Sequence, residues 1–123
     1  DPRLVKLACF AYDDSYKSVP NAPKLLVGSI VSGDRFVSDP RKIEWLQREF
    51  GAVATEMEGA AVGYTCFVND VPFVIIRSIS DSADSGAADE FDSFLVRASE
   101  NSFKMVSSIL EVMTYRQEAG EMA

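Results

Sequence analysis

The sequence contains no histidine, and this absence limits the chemistry that the chain can perform. Imidazole zinc sites and Ser-His-Asp triads both need histidine, so neither is available. Acid–base steps would therefore have to use Asp, Glu, Lys, Tyr or Cys side chains. Long apolar runs are also missing, since none reaches the roughly 18–20 residues of a membrane-spanning helix. A membrane is therefore not an expected partner.

Cysteine and basic residues are scarce as well. The two cysteines, Cys9 and Cys66, each lie in an apolar run without a CxxC spacing. This pattern is typical of buried free thiols in a reducing compartment. The 12 basic residues are outnumbered by 19 acidic ones, which gives a net charge of −7. That excess disfavours nucleic acid as a partner, because binding its phosphates needs Lys and Arg. No secretory signal is visible, and we expect a cytoplasmic location.

The hydrophobic patterns that are present alternate between helical and strand periodicity, which predicts an α/β fold with a largely parallel sheet. The 123 residues form one structural unit, although three strands make a thin sheet for such a fold. The predicted elements are a helix Pro2–Tyr16 with Asp1 as N-cap, a strand Leu25–Val31, a helix Pro40–Phe50 between Asp39 and Gly51, a strand Ala52–Thr55, a helix from Glu58 to Val68, a strand Val71–Ile76, a helix from Asp89 or Glu90 to Met113, and a polar tail Thr114–Ala123 that frays.

Three polar clusters follow the predicted strands. They are residues 32–37 (SGDRFV), residues 56–59 (EMEG) and residues 77–84 (RSISDSAD). Open α/β sheets bind ligands at the carboxyl ends of their strands, so we expect the three clusters to meet at one site.

Each cluster offers a structural and a functional interpretation. Glu56 and Glu58 stand at a helix start, where a carboxylate caps the helix and favours its dipole. Alternatively, the two oxygens of one carboxylate accept hydrogen bonds from the vicinal hydroxyls of a ribose. Phe36 either plugs the core or stacks on a flat heterocycle. Arg77 either forms a salt bridge with a nearby acid or contacts a ligand.

Asp81 is the candidate for acid–base chemistry. It follows a strongly apolar strand and sits beside Ser80. One interpretation is an Asx turn or the N-cap of a short helical turn. The other is a general acid whose pKa is raised by partial burial. The nearby Asp84 is interpreted as a solvated loop charge.

Four runs carry a family resemblance, namely VSGDRFV, ATEMEGAAVGYTC, VPFVIIRSISDSAD and FDSFLVRAS. They resemble the C-terminal half of the 5′-methylthioadenosine/S-adenosylhomocysteine nucleosidases, within the purine nucleoside phosphorylase superfamily. The resemblance spans about Leu25 to Met113. It implies part of a three-layer α/β/α fold with a central mixed, largely parallel sheet, and hydrolysis of an N-glycosidic bond that releases adenine. It implies no metal or cofactor, and a homodimer.

The resemblance also implies residue roles. Asp81 would protonate adenine N7, Ser80 would hold its carboxyl group, and Arg77 would help to place the attacking water. Glu58 would bind the ribose hydroxyls and Met57 would pack against the sugar. Phe36 would stack on adenine, the backbone of Val37 would bind its Watson–Crick edge, and Phe91 would line the alkylthio pocket.

In the family, the general base is a glutamate from the N-terminal half of the full chain, which these residues do not include. We therefore expect residues 1–123 to be the C-terminal half of one nucleosidase domain, with residues 116–123 as a frayed tail, and to be inactive alone. The missing N-terminal half is an expected partner. Alternatives are a related futalosine hydrolase, a purine nucleoside phosphorylase that uses phosphate, or a non-catalytic ligand-binding module on the same fold.

Overall fold

The computed structural model describes residues 1–79 and 87–119, and its helices and strands alternate as far as the third helix, after which the last helix follows without a described strand between them. The described elements are α1 (Pro2–Tyr16), β1 (Ser29–Ser32), α2 (Pro40–Phe50), β2 (Ala52–Glu56), α3 (Gly59–Val68) and α4 (Ala87–Glu118). β1 and β2 pair in parallel, with Ser32 opposite Glu56. The predicted α/β class is confirmed.

The bounds of α1 and α2 are set by local capping chemistry. The side chain of Asp1 accepts a hydrogen bond from Arg3 N at 2.7 Å, and that of Asp39 accepts one from Arg41 N at 3.0 Å. A proline follows each cap, at a position where the missing N–H costs nothing. α2 ends at Gly51, which adopts the left-handed conformation at φ 58° and donates to Gln47 O at 2.9 Å. Both helices have the predicted bounds.

The strand predictions are only partly correct. The strand expected over Leu25–Val31 is confined to Ser29–Ser32, because β2 begins at Ala52, opposite Ser29, and offers no partner to residues 25–28. The strand predicted for Val71–Ile76 is absent from the described structure, where residues 71–79 are irregular. Their apolar side chains from Phe73 to Ile76 are half-buried. An apolar run reports burial, whereas a strand also needs a neighbour for its backbone groups.

The core lies between the first and last helices. Leu7, Ala8 and Ala11 of α1 pack against Met105 and Ile109 of α4. Ser15 Oγ and Ser108 Oγ are hydrogen-bonded at 2.7 Å across the same interface. Both cysteines are free and half-buried, somewhat less enclosed than predicted. None of the described helices contains a stretch that is long and apolar enough to cross a bilayer.

α4 is longer than its predicted span. It begins at Ala87, two residues before Asp89, and continues to Glu118, five residues beyond Met113. The polar composition after Met113 was interpreted as fraying, but polar residues such as Arg, Gln and Glu are good helix formers. The guanidinium of Arg116 also lies 4.9 Å from the ring centre of Phe10, which joins the last turn of α4 to α1. The helix thus includes residues 114–118, residues 120–123 lie outside the described part, and the fraying of the tail stays a prediction.

Candidate functional site

A cleft of about 840 Å³ opens where β1 and β2 end. Five of the eight predicted site residues line it, and they come from three segments of the chain. Phe36 and Val37 follow β1, Met57 and Glu58 follow β2, and Arg77 lies in the irregular segment 71–79. The clusters after β1 and β2 therefore meet at the strand ends as expected, and Arg77 joins them from a segment that forms no strand. The volume is in the range of small-molecule sites.

Three predicted site residues fall outside what the structure describes. Ser80 and Asp81 belong to residues 80–86, and so does Asp84. Phe91 lies on α4, but its side chain is outside the described part. The roles predicted for Asp81, Ser80 and Phe91 remain predictions.

Phe36 does not fill the core. Its side chain is 58% exposed, and the ring borders the cleft. The interpretation of Phe36 as a core plug is therefore wrong. The preceding loop is fixed at its start by a hydrogen bond from Gly33 N to Glu56 O at 3.1 Å. An exposed aromatic at a cleft wall is available to a planar ligand.

The two acidic residues at the start of α3 differ in their surroundings. The carboxylate of Glu56 accepts hydrogen bonds from Gly59 N at 2.7 and 2.8 Å and from Glu58 N at 3.1 Å. Glu58 is the N-cap residue of α3, yet its side chain makes no capping hydrogen bond. The Glu56 side chain is 8% exposed and that of Glu58 is 69% exposed. The capping interpretation thus applies to Glu56 alone.

Arg77 joins these two carboxylates. Its Nη2 atom pairs with Oε2 of Glu56 and with Oε2 of Glu58. The salt-bridge interpretation of Arg77 is therefore confirmed, and the same side chain also borders the cleft. Hydrogen bonding to Glu56, only partly opposed by burial, raises the pKa of Arg77. The guanidinium remains charged.

The pKa of Glu56 reflects opposing effects. Burial alone would raise it, but hydrogen bonds from Arg77, Ser32 and the backbone of Gly59 and Glu58 prevail and lower the pKa to about 2. Of these contacts, the one from Ser32 has the poorest geometry, because its buried Oγ forms no well-aligned hydrogen bond within the described residues. Arg77 and the α3 backbone are therefore the main partners of an ionised Glu56.

One wall of the cleft is formed by residues that are not among the predicted site residues. Four α4 residues contribute to it, namely Leu95, Ala98, Ser99 and Ser102. Their spacing of three, four and seven positions places them on one helix face, so helical periodicity could have revealed them. Ser102 Oγ also donates to Ser78 Oγ at 2.9 Å, which ties α4 to the segment that carries Arg77.

Comparisons with known proteins agree with this architecture. The chain is 46% identical over 92 residues to a 5′-methylthioadenosine/S-adenosylhomocysteine nucleosidase of Pseudoalteromonas translucida, covering 74% of this chain and 39% of that protein. It is 41% identical over 97 residues to an aminodeoxyfutalosine nucleosidase of Helicobacter pylori, covering 77% of this chain and 42% of that protein. The chain thus spans about 40% of the length of the curated relatives it matches.

A solved structure is similar over most of the chain. It is the 5′-methylthioadenosine/S-adenosylhomocysteine nucleosidase of Helicobacter pylori with butyl-thio-DADMe-Immucillin-A, with a TM-score of 0.79 and 38% identity over 89% of this chain and 44% of that one. The resemblance to these nucleosidases, stated from the sequence, is confirmed. The family model of the phosphorylase superfamily matches residues 1–111. This match covers most of the chain, and the solved structure has a similar fold and a sequence 38% identical to it. The chain therefore belongs to the phosphorylase superfamily.

Proposed function

We propose that this chain supplies the leaving-group and sugar-binding part of a site that hydrolyses adenine nucleosides with a 5′-thio substituent. The observation that carries the proposal is the cleft where Phe36, Val37, Met57, Glu58 and Arg77 lie together. It combines an exposed aromatic ring, a solvent-facing carboxylate and a guanidinium. The names of the relatives supply the substrate class, 5′-methylthioadenosine or S-adenosylhomocysteine.

The binding groups suit the parts of such a nucleoside. The Phe36 ring stacks on adenine, and the backbone of Val37 binds its Watson–Crick edge. Met57 packs against the ribose. Glu58 pairs with Arg77 through Oε2, which leaves Oε1 to accept hydrogen bonds from the 2′- and 3′-hydroxyls. Phe91 lines the pocket for the alkylthio group.

The proposed reaction separates the base from the sugar. Asp81, held by Ser80, donates a proton to adenine N7, and the electron pair of the glycosidic bond leaves with the base. The sugar becomes a cation resembling an oxocarbenium ion, and the Glu58 carboxylate stabilises it. Water, placed with the help of Arg77, adds to the anomeric carbon. Its proton passes to a general base that this chain does not supply.

The partner that we propose is the remaining part of the family domain, acting as a homodimer once joined. A second cavity, of about 390 Å³, lies beside α1 and between residues 23–28 and 74–79. These two segments are extended or irregular, and apart from the hydrogen bond that Tyr12 donates to Pro23 O, the structure shows no turn or loop hydrogen bond from their backbone to another described residue. Apolar side chains line the cavity. About 60% of the length of the Pseudoalteromonas relative lies outside the matched segment, which is enough chain to cover this cavity.

Leu26 provides a test of that docking surface. Its side chain is 73% exposed and lines the second cavity. Leu26→Glu should prevent activation by the N-terminal part of the Pseudoalteromonas relative without altering the circular dichroism of the isolated chain. Val96→Glu, equally exposed on α4 but outside both cavities, is the matched control. Equal activation of both variants would contradict the docking surface.

The function is tested by binding and by turnover. Isothermal titration should show that the 123-residue chain binds 5′-methylthioadenosine. A separate assay of adenine release should show no turnover by the chain alone. Adding the N-terminal part of the relative should yield adenine without phosphate, and Asp81→Asn should lower that rate by about 10²–10⁴-fold. Absence of binding, turnover by the chain alone, or a requirement for phosphate with release of ribose 1-phosphate would each refute the proposal.

A second candidate is hydrolysis of aminodeoxyfutalosine. The relative from Helicobacter pylori that carries this activity in its name is 41% identical to the chain, close to the 46% of the first relative. To distinguish the two candidates, kcat/KM is measured for both nucleosides with the chain to which the N-terminal part of the relative has been added. The preferred substrate is the one with the higher value.

A further inference from the structure

Glu56 pairs with Arg77, and Arg77 pairs with Glu58, the residue to which the proposed function assigns the ribose hydroxyls. It is the last residue of β2, and both of its carboxylate oxygens accept hydrogen bonds from the backbone at the start of α3. Its Oε2 atom also pairs with Arg77, whose Nη2 atom pairs in turn with Glu58. Both residues border the cleft, but the Glu56 side chain is nearly enclosed, whereas that of Glu58 is largely exposed. The three side chains therefore form one chain of contacts.

Sharing Arg77 between two carboxylates has a consequence for Glu58. A guanidinium facing a single carboxylate tends to pair with both of its oxygens. With Glu56 present, Arg77 contacts one oxygen of Glu58, and the other oxygen has no hydrogen-bond partner among residues 1–79 and 95–119. Without Glu56, Arg77 would be free to turn fully onto Glu58 and occupy the oxygens that a vicinal diol needs.

We propose that Glu56 is a positioning residue for sugar recognition: it holds Arg77 and the first turn of α3 so that Glu58 keeps a free carboxylate oxygen directed at the cleft. The inference rests on the proposed function and assigns a role to a residue to which the family resemblance gives none. Glu56 itself touches no ligand in this scheme. It acts through Arg77 and Glu58.

The close approach at Gly59 independently supports this role. A Cβ atom at Gly59 would lie 2.6 Å from Glu56 Oε1 and 3.0 Å from its Cδ. The carboxylate can therefore reach the α3 backbone only beside a residue without a side chain. The low pKa of Glu56, about 2, means that its charge persists at any pH near neutrality. The ion pair between Glu56 and Arg77 is therefore fully charged near neutral pH.

The test compares two ligands, because a purely structural role would affect both alike. Affinities of the 123-residue chain for 5′-methylthioadenosine and for free adenine are measured by isothermal titration. Glu56→Gln, which keeps the shape and removes the charge, should weaken nucleoside binding by about 10- to 100-fold, the range for losing a charged hydrogen bond. Adenine binding should change less than about twofold. Glu49→Gln, at an exposed ion pair with Arg48, is the control.

Gly59→Ala provides a second variant, because it displaces the Glu56 carboxylate without removing its charge. It should produce the same selective loss for the nucleoside. Equal weakening of both ligands, unchanged nucleoside affinity, or loss of the native circular dichroism in both variants would overturn the positioning role. A wild-type chain that binds neither ligand would instead refute the proposed function, and this inference with it.

Discussion

Replacing Gly59 by alanine is expected to destabilise the protein, although the same change usually stabilises a helix. Alanine in a helix is favoured over glycine by about 0.5–1 kcal/mol. Here the new Cβ would come within 2.6 Å of Glu56 Oε1, so the carboxylate must leave the α3 backbone. Losing hydrogen bonds to a charged group costs about 1.5–3 kcal/mol. The net loss in the free energy of unfolding is therefore about 1–2 kcal/mol.

Urea denaturation followed by circular dichroism measures this difference. Gly33→Ala is the control, because a Cβ at Gly33 meets nothing within 4 Å. In a Glu56→Ala background the obstructing carboxylate is gone, so Gly59→Ala should become neutral or stabilising. Stabilisation by Gly59→Ala in the wild-type background would refute the reasoning, because it would mean that the contact with Glu56 contributes nothing.

Three further perturbations have defined outcomes. The ionised carboxylate of Glu56 stabilises the fold above its ordinary pKa of 4.5, and this contribution is lost as the pH falls through its native value of about 2. The difference in unfolding free energy between wild type and Glu56→Gln should therefore shrink on acidification, and a pH-independent difference would contradict it. Ala11→Leu should lower the free energy of unfolding, measured by thermal denaturation, by about 1–3 kcal/mol. Ala11 of α1 is fully buried against α4, so the larger side chain would overpack this interface. Phe36→Ala should weaken 5′-methylthioadenosine binding by about 0.5–1.5 kcal/mol while leaving stability within about 0.5 kcal/mol, and the exposed Phe103→Ala should change neither.

Local chemistry explains what the sequence could predict. The bounds of α1 and α2 follow from Asp1 and Asp39 as caps, and from Gly51, whose left-handed conformation closes α2. Each signal lies within a few residues of the boundary that it determines. The position of Phe36 and Glu58 at one cleft follows from a rule about strand ends, which needs only the order of the elements, whereas Arg77 reaches the same cleft from a segment that forms no strand.

Pairing between distant segments explains what the sequence could not predict. The run Val71–Ile76 has strand composition, but composition does not supply a neighbouring strand. The role of Glu56 depends on Arg77, which is 21 positions away in the chain. No local pattern distinguishes Glu56 from Glu58, because both stand at the same helix start. Their different exposure arises in the folded chain, where Glu56 accepts hydrogen bonds from the α3 backbone and pairs with Arg77.

The packing of α1 on α4 also sets when the protein can fold. Ser15 and Ser108, which meet across this interface, are 93 positions apart. Closing a loop of that length costs about 4 kcal/mol of chain entropy beyond the constant term. During synthesis at about 5–20 residues per second, α1 must wait on the order of 5–20 s for the residues of α4 that cover it. Throughout that interval the apolar face of α1 lacks the residues of α4 that cover it in the folded protein.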